Sequence, residues 1–323
     1  MTTPGTSYAV AGRHVLVTGG AGFIGSHLVD ALLARGAARV TILDSMKYAN
    51  DTHAGRGEAR VSVLKHDLGH DPHERLDEAL RGVDLLFHLA AEKHNQSLPS
   101  PQHLLASNID GTYALFDAAG RVGVKKLVFT SSLYAYGRLA GEPMVETEVP
   151  RPHTLYGISK LTGEHLAAHV GRKHGLPHVA LRYFFVYGPR QFPGMGYKSV
   201  IVSNFERLRR GERPTIFGDG QQALDYVYVD DVVNATMAAM ESPLDGELLN
   251  VGSSQPTSIN ELTRLMIEVS GKNLEPVNAE ADWTAGSSRV GANEKIRRLL
   301  KWAPLVSLRE GLSRTYQWLD RDR

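Results

Sequence analysis

The sequence predicts an α/β fold, a doubly wound parallel sheet joined to a smaller, discontinuous second lobe. Three observations carry that prediction. Short runs rich in β-branched residues alternate with helical segments through the first half of the chain. A cluster of glycines sits where the first of these runs turns into its helix. After Gly188 the texture shifts to proline, glycine and polar residues. Strands buried on both faces read as continuous apolar runs, as these do, because helices cover each face of a parallel sheet.

The elements follow in order. "HVLVTG" (14–19) is the first strand, and "FIGSHLVDALLARG" places Ile24, Leu28, Leu32 and Leu33 at helical spacing, with Gly36 positioned to end the helix. "RVTILD" (39–44), "RVSVLKHD" (60–67), "VDLLFHLA" (83–90) and "KKLVFTSS" (125–132) repeat the strand theme. Between the last two, Leu105, Ile109, Thr112 and Phe116 mark one face of a helix. "YGISK" (156–160) runs on as a further helix, and "HVALRYFFVYG" (178–188) reads as the next strand. Beyond it, "VIVSNFERLRRGE" predicts a helix, "DYVYVDDVVNATMAAM" a strand and a helix, and "ELLNVG" a strand. Residues 1–183 with about 224–252 are expected to form the larger domain, and about 184–223 with 253–323 the smaller lobe, with a cleft between them.

Bulk composition narrows the function classes. A chain of 323 residues can bury a large core. A net charge of +1 gives no basic field for nucleic acid. The absence of cysteine excludes disulfides and thiolate metal sites. The histidines show neither HExxH nor paired-carboxylate spacing, so no metal is expected. No apolar run approaches the ~20 residues of a membrane helix, and "MTTPGTSYAVAGR" has no signal-peptide core. A soluble, cytoplasmic protein without a membrane or nucleic-acid partner is the expectation.

"VTGGAGFIG" places Gly19, Gly22 and Gly25 at the first strand-to-helix turn, with Phe23 and Ile24 opening the helix. Glycine permits a tight turn and close backbone approach, and a helix N-terminus favours a pyrophosphate. Asp44 closes the next strand, where a carboxylate accepts from ribose hydroxyls and repels a 2′-phosphate. This is the Rossmann pattern for NAD, although a solvated strand-end acid would also suit Asp44, and Lys47 just beyond weighs the other way. Asp67, next to Leu68, is placed to meet the adenine amino group. Leu89, Ala90 and Ala91 end the fourth strand, where small residues let a cofactor lie against the backbone.

Tyr156 and Lys160 lie four apart, on one helix face. A free tyrosine titrates near ~10, so only about one in a thousand is phenolate at neutral pH. A nearby ammonium and a nicotinamide charge would lower that value. Ser132, with Ser131 beside it, ends the adjacent strand and offers a hydroxyl to the same substrate oxygen.

Taken together, TGGAGFIG, Asp44, HLAA, "SNIDGT" with Asn108, the serine block, YGISK, "LRYFFVYGPR" and "NVGSSQPTSINEL" resemble the extended short-chain dehydrogenases, and more narrowly the NAD-dependent nucleotide-sugar epimerase/dehydratase family, over residues from about 13 to 320. The resemblance implies Tyr156 as base, Lys160 as its electrostatic partner and ribose ligand, Ser132 as hydrogen-bond partner, and Asn108 near the cofactor. It also implies a homodimer joined by the helices that carry Asn108 and Tyr156. In sugar 4,6-dehydratases of the family an Asp-Glu pair follows the serine or threonine; at those positions this chain has Leu133 and Tyr134. Dehydration needs two titratable groups there, so the pattern implies an epimerase acting on a nucleotide-activated sugar, UDP-linked and at C4. The rivals are a dehydratase or dehydrogenase on the same fold, with Glu92 as substitute carboxylate, and a non-catalytic NAD sensor. The complete Ser132, Tyr156 and Lys160 set counts against the sensor.

Two positions depart from the family pattern. Phe185 stands where the "RYFN" strand ends in asparagine, and Leu224 where an arginine meets the diphosphate. Arg289 in "SSRVG" matches the other phosphate arginine, with Arg190 and Arg213 as further candidates. Thr215, Ile216 and Phe217 match a segment that embraces the base. In the polar loop "EKHNQS", Lys93 is the expected substrate contact and His94 a group able to titrate near neutrality.

Overall fold

The computed structural model describes residues 8–48, 57–93, 100–137, 143–191, 199–281 and 286–321. His94 therefore lies outside the described residues. The helices are α1 (Phe23–Ala34), α2 (Leu76–Ala79), α3 (Pro101–Leu105), α4 (Thr112–Arg121), α5 (Leu155–His174), α6 (Val200–Arg209), α7 (Val229–Glu241), α8 (Ile259–Ser270), α9 (Glu294–Leu300) and α10 (Leu308–Arg321). The main strands are β1 (His14–Thr18), β2 (Arg39–Asp44), β3 (Val61–Lys65), β4 (Leu85–His88), β5 (Lys126–Ser132) and β6 (His178–Tyr183); β7 (Phe185–Tyr187), β8 (Thr215–Phe217), β9 (Ala223–Tyr228), β10 (Glu247–Val251), β11 (Pro256–Ser258), β12 (Val277–Ala279) and β13 (Ser288–Arg289) follow.

Among the described residues, seven strands form one sheet in the order β10-β6-β5-β4-β1-β2-β3. Every pairing in it is parallel, as the unbroken apolar runs require. The strand order reverses beside β1, which puts a ligand crevice at the carboxyl ends of β1 and β4. Leu28, Val29 and Leu32 of α1 share one apolar layer with Val232, Val233 and Ala235 of α7. Leu115 and Phe116 of α4 share the opposite layer with Ala167 and Val170 of α5. Helix α5 starts where Thr154 accepts a hydrogen bond from the Gly157 N–H at 3.0 Å, and it closes on Arg172, Lys173 and His174, which suit the negative end of its dipole.

The second lobe holds β7, β9, β11 and β13 in one small sheet and β8 with β12 in another. Two details differ from the sequence expectation. The apolar run 178–188 divides at Phe184, so that β6 belongs to the large sheet and β7 to the small one. Residues Ala223–Tyr228, expected mostly in the larger domain, form the middle of the small sheet. The reason is Asp225. Its buried carboxylate accepts from the N–H groups of Ser253, Ser254 and Gly291 and ties β9 to the second-lobe chain. The expected helix through Leu105 and Phe116 contains a π-helical stretch, Ala106–Gly111, which carries Asn108.

Candidate active site

A cavity of about 800 Å³ opens at the crevice between the lobes. Its floor is the turn after β1. Gly19 has φ +68°, and a Cβ there would stand 2.8 Å from the Ala90 nitrogen. A Cβ on Gly25 would reach 2.1 Å from the Gly19 carbonyl oxygen, so α1 begins pressed against the turn with its amides toward the cavity. The Asp44 carboxylate accepts from Ala21 N–H at 3.1 Å and from Met46 N–H at 2.9 Å, which locks the end of β2 onto the same turn. Burial raises its pKa, and the two backbone donors oppose that rise. Gly22, Phe23, Ile24, Asp67, Leu68, Leu89, Ala90 and Ala91 complete this half of the lining. An approachable backbone, a helix N-terminus and two strand-end acids are the donor and acceptor set that a dinucleotide fits.

The other half holds the reactive groups. Ser132, Tyr156 and Lys160 all line the cavity. Ser132 caps a short 3-10 turn, Leu133–Ala135, by accepting from Tyr134 N–H at 3.3 Å, and its hydroxyl hydrogen-bonds the Tyr156 side chain. Lys160 Nζ donates to the Thr130 carbonyl at 2.8 Å and lies 5.8 Å from the centre of the Tyr156 ring. Burial pushes the Tyr156 phenol up to about 12, against the Ser132 hydrogen bond. It also pushes Lys160 down to about 7, with the Glu164 carboxylate opposing. The sequence led to an expectation of a value lowered by a nearby ammonium and a nicotinamide charge; among the protein's own groups burial outweighs the lowering. Desolvation dominates both groups, and a positive charge brought into the pocket is what the phenolate needs. The Tyr134 ring meets Tyr156 edge-on, 5.5 Å between centres at 79°.

Other expected residues stand elsewhere. Asn108 does not line the cavity; its amide accepts from Glu92 N–H at 2.8 Å and donates to the Glu92 carbonyl and to Ser159 Oγ. It fixes the loop after β4 against α5. Ser131 lines the cavity, but its hydroxyl donates to Glu164. Lys93, Phe185 and Phe217 line the cavity, together with Leu224 and Tyr226, while Thr215 is not part of the lining and its N–H donates to Asn204 Oδ1 at 2.9 Å. Burial lowers the Lys93 pKa, with Glu92 opposing. Arg289 is the β-sheet partner of Leu224 and is not part of the cavity lining; its guanidinium lies 5.8 Å from the centre of the Tyr134 ring, which does line it. Arg190 pairs with Asp30 at 2.7 Å, and Arg213 donates to the Glu275 and Pro276 carbonyls.

Sequence reading missed Glu164. It accepts from Arg182 through two parallel bonds of 2.8 and 2.7 Å, and Arg182 stacks 4.1 Å above Tyr136. The signal was available: Arg182 is a charge inside an apolar strand run, and Glu164 lies one turn beyond Lys160. Among the described residues no group of histidines and acids could hold a metal, and no helix is long and apolar enough to cross a membrane.

The profile of the NAD dependent epimerase/dehydratase family matches residues 15–252. A dTDP-glucose 4,6-dehydratase of Streptomyces griseus is 35% identical over 318 residues, covering 96% of this chain and 95% of its own. The crystal structure of UDP-glucose 4-epimerase with UDP-glucose from Thermotoga maritima superposes with a TM-score of 0.88 at 36% identity, over 95% of this chain and 99% of that one. The UDP-glucuronic acid 4-epimerase from Bacillus cereus, in complex with UDP-glucuronic acid and NAD, superposes with a TM-score of 0.83 at 31% identity, over 95% and 99%.

Proposed function

Because the chain belongs to the NAD dependent epimerase/dehydratase family, we propose that it epimerises C4 of a UDP-linked sugar through a transient ketone, with Tyr156 as base. The observation that carries this reading is the turn after β5. Leu133 has no proton to give, and Tyr134 is a phenol packed against Tyr156, so the acid–base pair that expels water is missing from that turn. The relative from Streptomyces griseus is named a dehydratase, which keeps that rival in view. Glu92, the candidate carboxylate for it, is engaged by Lys47, Tyr48 and His103.

Gly19, Gly22 and Gly25 would face the pyrophosphate of NAD, Asp44 the ribose hydroxyls and Asp67 the adenine end. Bound NAD would supply the hydride acceptor and a positive charge beside Tyr156. Tyr156 then takes the proton of the sugar hydroxyl, Ser132 holds the same oxygen, and Lys160 stabilises the phenolate. Phe185, Phe217, Leu224 and Tyr226 would offer an apolar wall to the nucleotide, and Lys93, in the same lining, would meet a phosphate or sugar oxygen. A homodimer is part of the same proposal: Leu105, Tyr113 and Ile158 remain 38%, 38% and 40% exposed on α3, α4 and α5, an apolar surface suited to a second copy. Sedimentation of the wild type against an Ile158→Glu variant tests it.

The test of the reaction is incubation of purified protein with UDP-, TDP-, GDP- and CDP-sugars and no added cofactor, followed by chromatography and mass spectrometry. A new peak of unchanged mass from a UDP-sugar is the expected result. A product lighter by one water would replace epimerisation with dehydration.

A further inference from the structure

The turn after β2 raises a question that the glycines and Asp44 leave open. Lys47 lies three residues beyond Asp44, and a cation in this loop is what accommodates the 2′-phosphate of NADP. The structure gives that cation another partner. Met46 adopts φ +61°, an uncommon backbone for a side chain of its size. Its N–H is held by Asp44, and the Lys47 N–H donates to Ser45 Oγ at 3.3 Å. The tight turn sends Lys47 and Tyr48 toward the loop after β4. There Lys47 Nζ meets Glu92 Oε1 at 3.3 Å, and the Tyr48 hydroxyl donates to Glu92 Oε2 at 3.4 Å.

Glu92 is built to receive them. Its side chain is buried to 9% exposure while Lys47 keeps 47%. Asn108 clamps both its N–H and its carbonyl, and His103 Nε2 stands 3.1 Å from the same Oε1 and 3.6 Å from Asp67. Strands β2 and β4 flank β1 in the sheet, so the Lys47–Glu92 pair crosses the crevice beyond the end of β1. Arg60, on the same connection, is turned away: it pairs with Glu58 and donates to the Leu33 and Ala37 carbonyls.

We propose that Glu92 is a cofactor-specificity residue, which holds the Lys47 ammonium away from a ribose 2′-phosphate and so completes a preference for NAD begun by Asp44. Discrimination is a difference of two affinities, and withholding a favourable contact from the wrong ligand counts as much as repelling it. The inference rests on the dinucleotide reading of the cavity, not on the sugar chemistry.

The experiment is competition between equal concentrations of NAD and NADP on the full chain, with the bound dinucleotide identified by mass spectrometry. Glu92→Gln keeps the size of the side chain and releases Lys47; the NAD-to-NADP occupancy ratio is expected to fall about tenfold. Lys47→Ala alone is expected to leave the wild-type ratio, because the ammonium is already taken, and the double variant is expected to return to it. An unchanged ratio in Glu92→Gln, or a double variant that keeps the lowered ratio, overturns the proposal. So does a rise in the ratio on Lys47→Ala alone, and this arm remains informative if Glu92→Gln fails to fold. Binding of neither dinucleotide would remove the cofactor reading itself, whereas binding without epimerase activity bears only on the sugar reaction.

Discussion

Replacing Lys160 by methionine isolates what the lysine does for Tyr156. With the phenol at about 12, the phenolate fraction at pH 7 is on the order of one in a hundred thousand. A unit charge 5.8 Å from the ring centre contributes about 2.9 kcal/mol at an effective dielectric of about 20. That corresponds to roughly two pKa units, or about a hundredfold in phenolate. Lys160 itself stands at about 7, so about half the molecules carry that charge at neutrality, and Lys160→Met is expected to lower kcat on a UDP-sugar about fiftyfold near pH 7. It should also move the acid limb of the kcat–pH profile up by about two units, because the rate follows phenolate formation as pH rises. Lys160→Arg, which keeps a charge, should recover part of the rate. The two groups titrate as a coupled pair, so the profile reports the pair. Methionine also leaves the Thr130 carbonyl without its donor, at a cost of about 1–3 kcal/mol, so a melting curve must accompany the kinetics. An acid limb at the wild-type position with a rate within about threefold of wild type would refute the electrostatic role.

Tyr156→Phe should reduce turnover by about 10²–10⁴-fold, the range of a lost general base, while dinucleotide occupancy by mass spectrometry stays near wild type. Asn108→Ala strands the Glu92 N–H and carbonyl in a buried position, so urea denaturation should show a loss of about 1–3 kcal/mol. Asp117, held down at about 2 by Lys173, His174 and Arg121, is a depressed carboxylate. Its contribution is present above the ordinary value of 3.8 and is lost as pH falls through about 2. The unfolding free energy from urea denaturation should fall between pH 5 and pH 2 by about 1 kcal/mol more for the wild type than for Asp117→Asn, a figure reduced for solvent screening.

The fold was legible because its signals are local. Continuous apolar runs announce parallel strands, and the glycines around Gly19 and Gly25 announce the turn, so the large sheet and the floor of the cavity follow from short windows. The Ser132, Tyr156 and Lys160 grouping was legible for the same reason: one strand end and one helical turn supply it. What escaped was non-local. Nothing in "HVALRYFFVYG" states that its strand changes sheets at Phe184, because pairing partners lie far along the chain. Whether an arginine near the site faces a ligand depends on its neighbours in space: Arg190 found Asp30, Arg213 found two carbonyls, and Arg289 came to lie 5.8 Å from the centre of the Tyr134 ring. The ambiguity of Lys47 likewise dissolved only when Glu92, 45 residues away, came into contact with it.

Phe184 alone separates β6 from β7, and its N–H is pinned to the Val251 carbonyl at 3.1 Å. Strand β9 passes into α7 without an intervening residue, and residues 252–255, between β10 and β11, are fastened by Asp225. The joints between the two lobes are thus short, in the manner of a vice whose jaws are cut from one block. New specificity in this scaffold would come by exchanging the faces of the jaws, on which Phe185 and Leu224 stand. An added residue at any of the three joints would instead change the width of the gap between Tyr156 and the opposite wall.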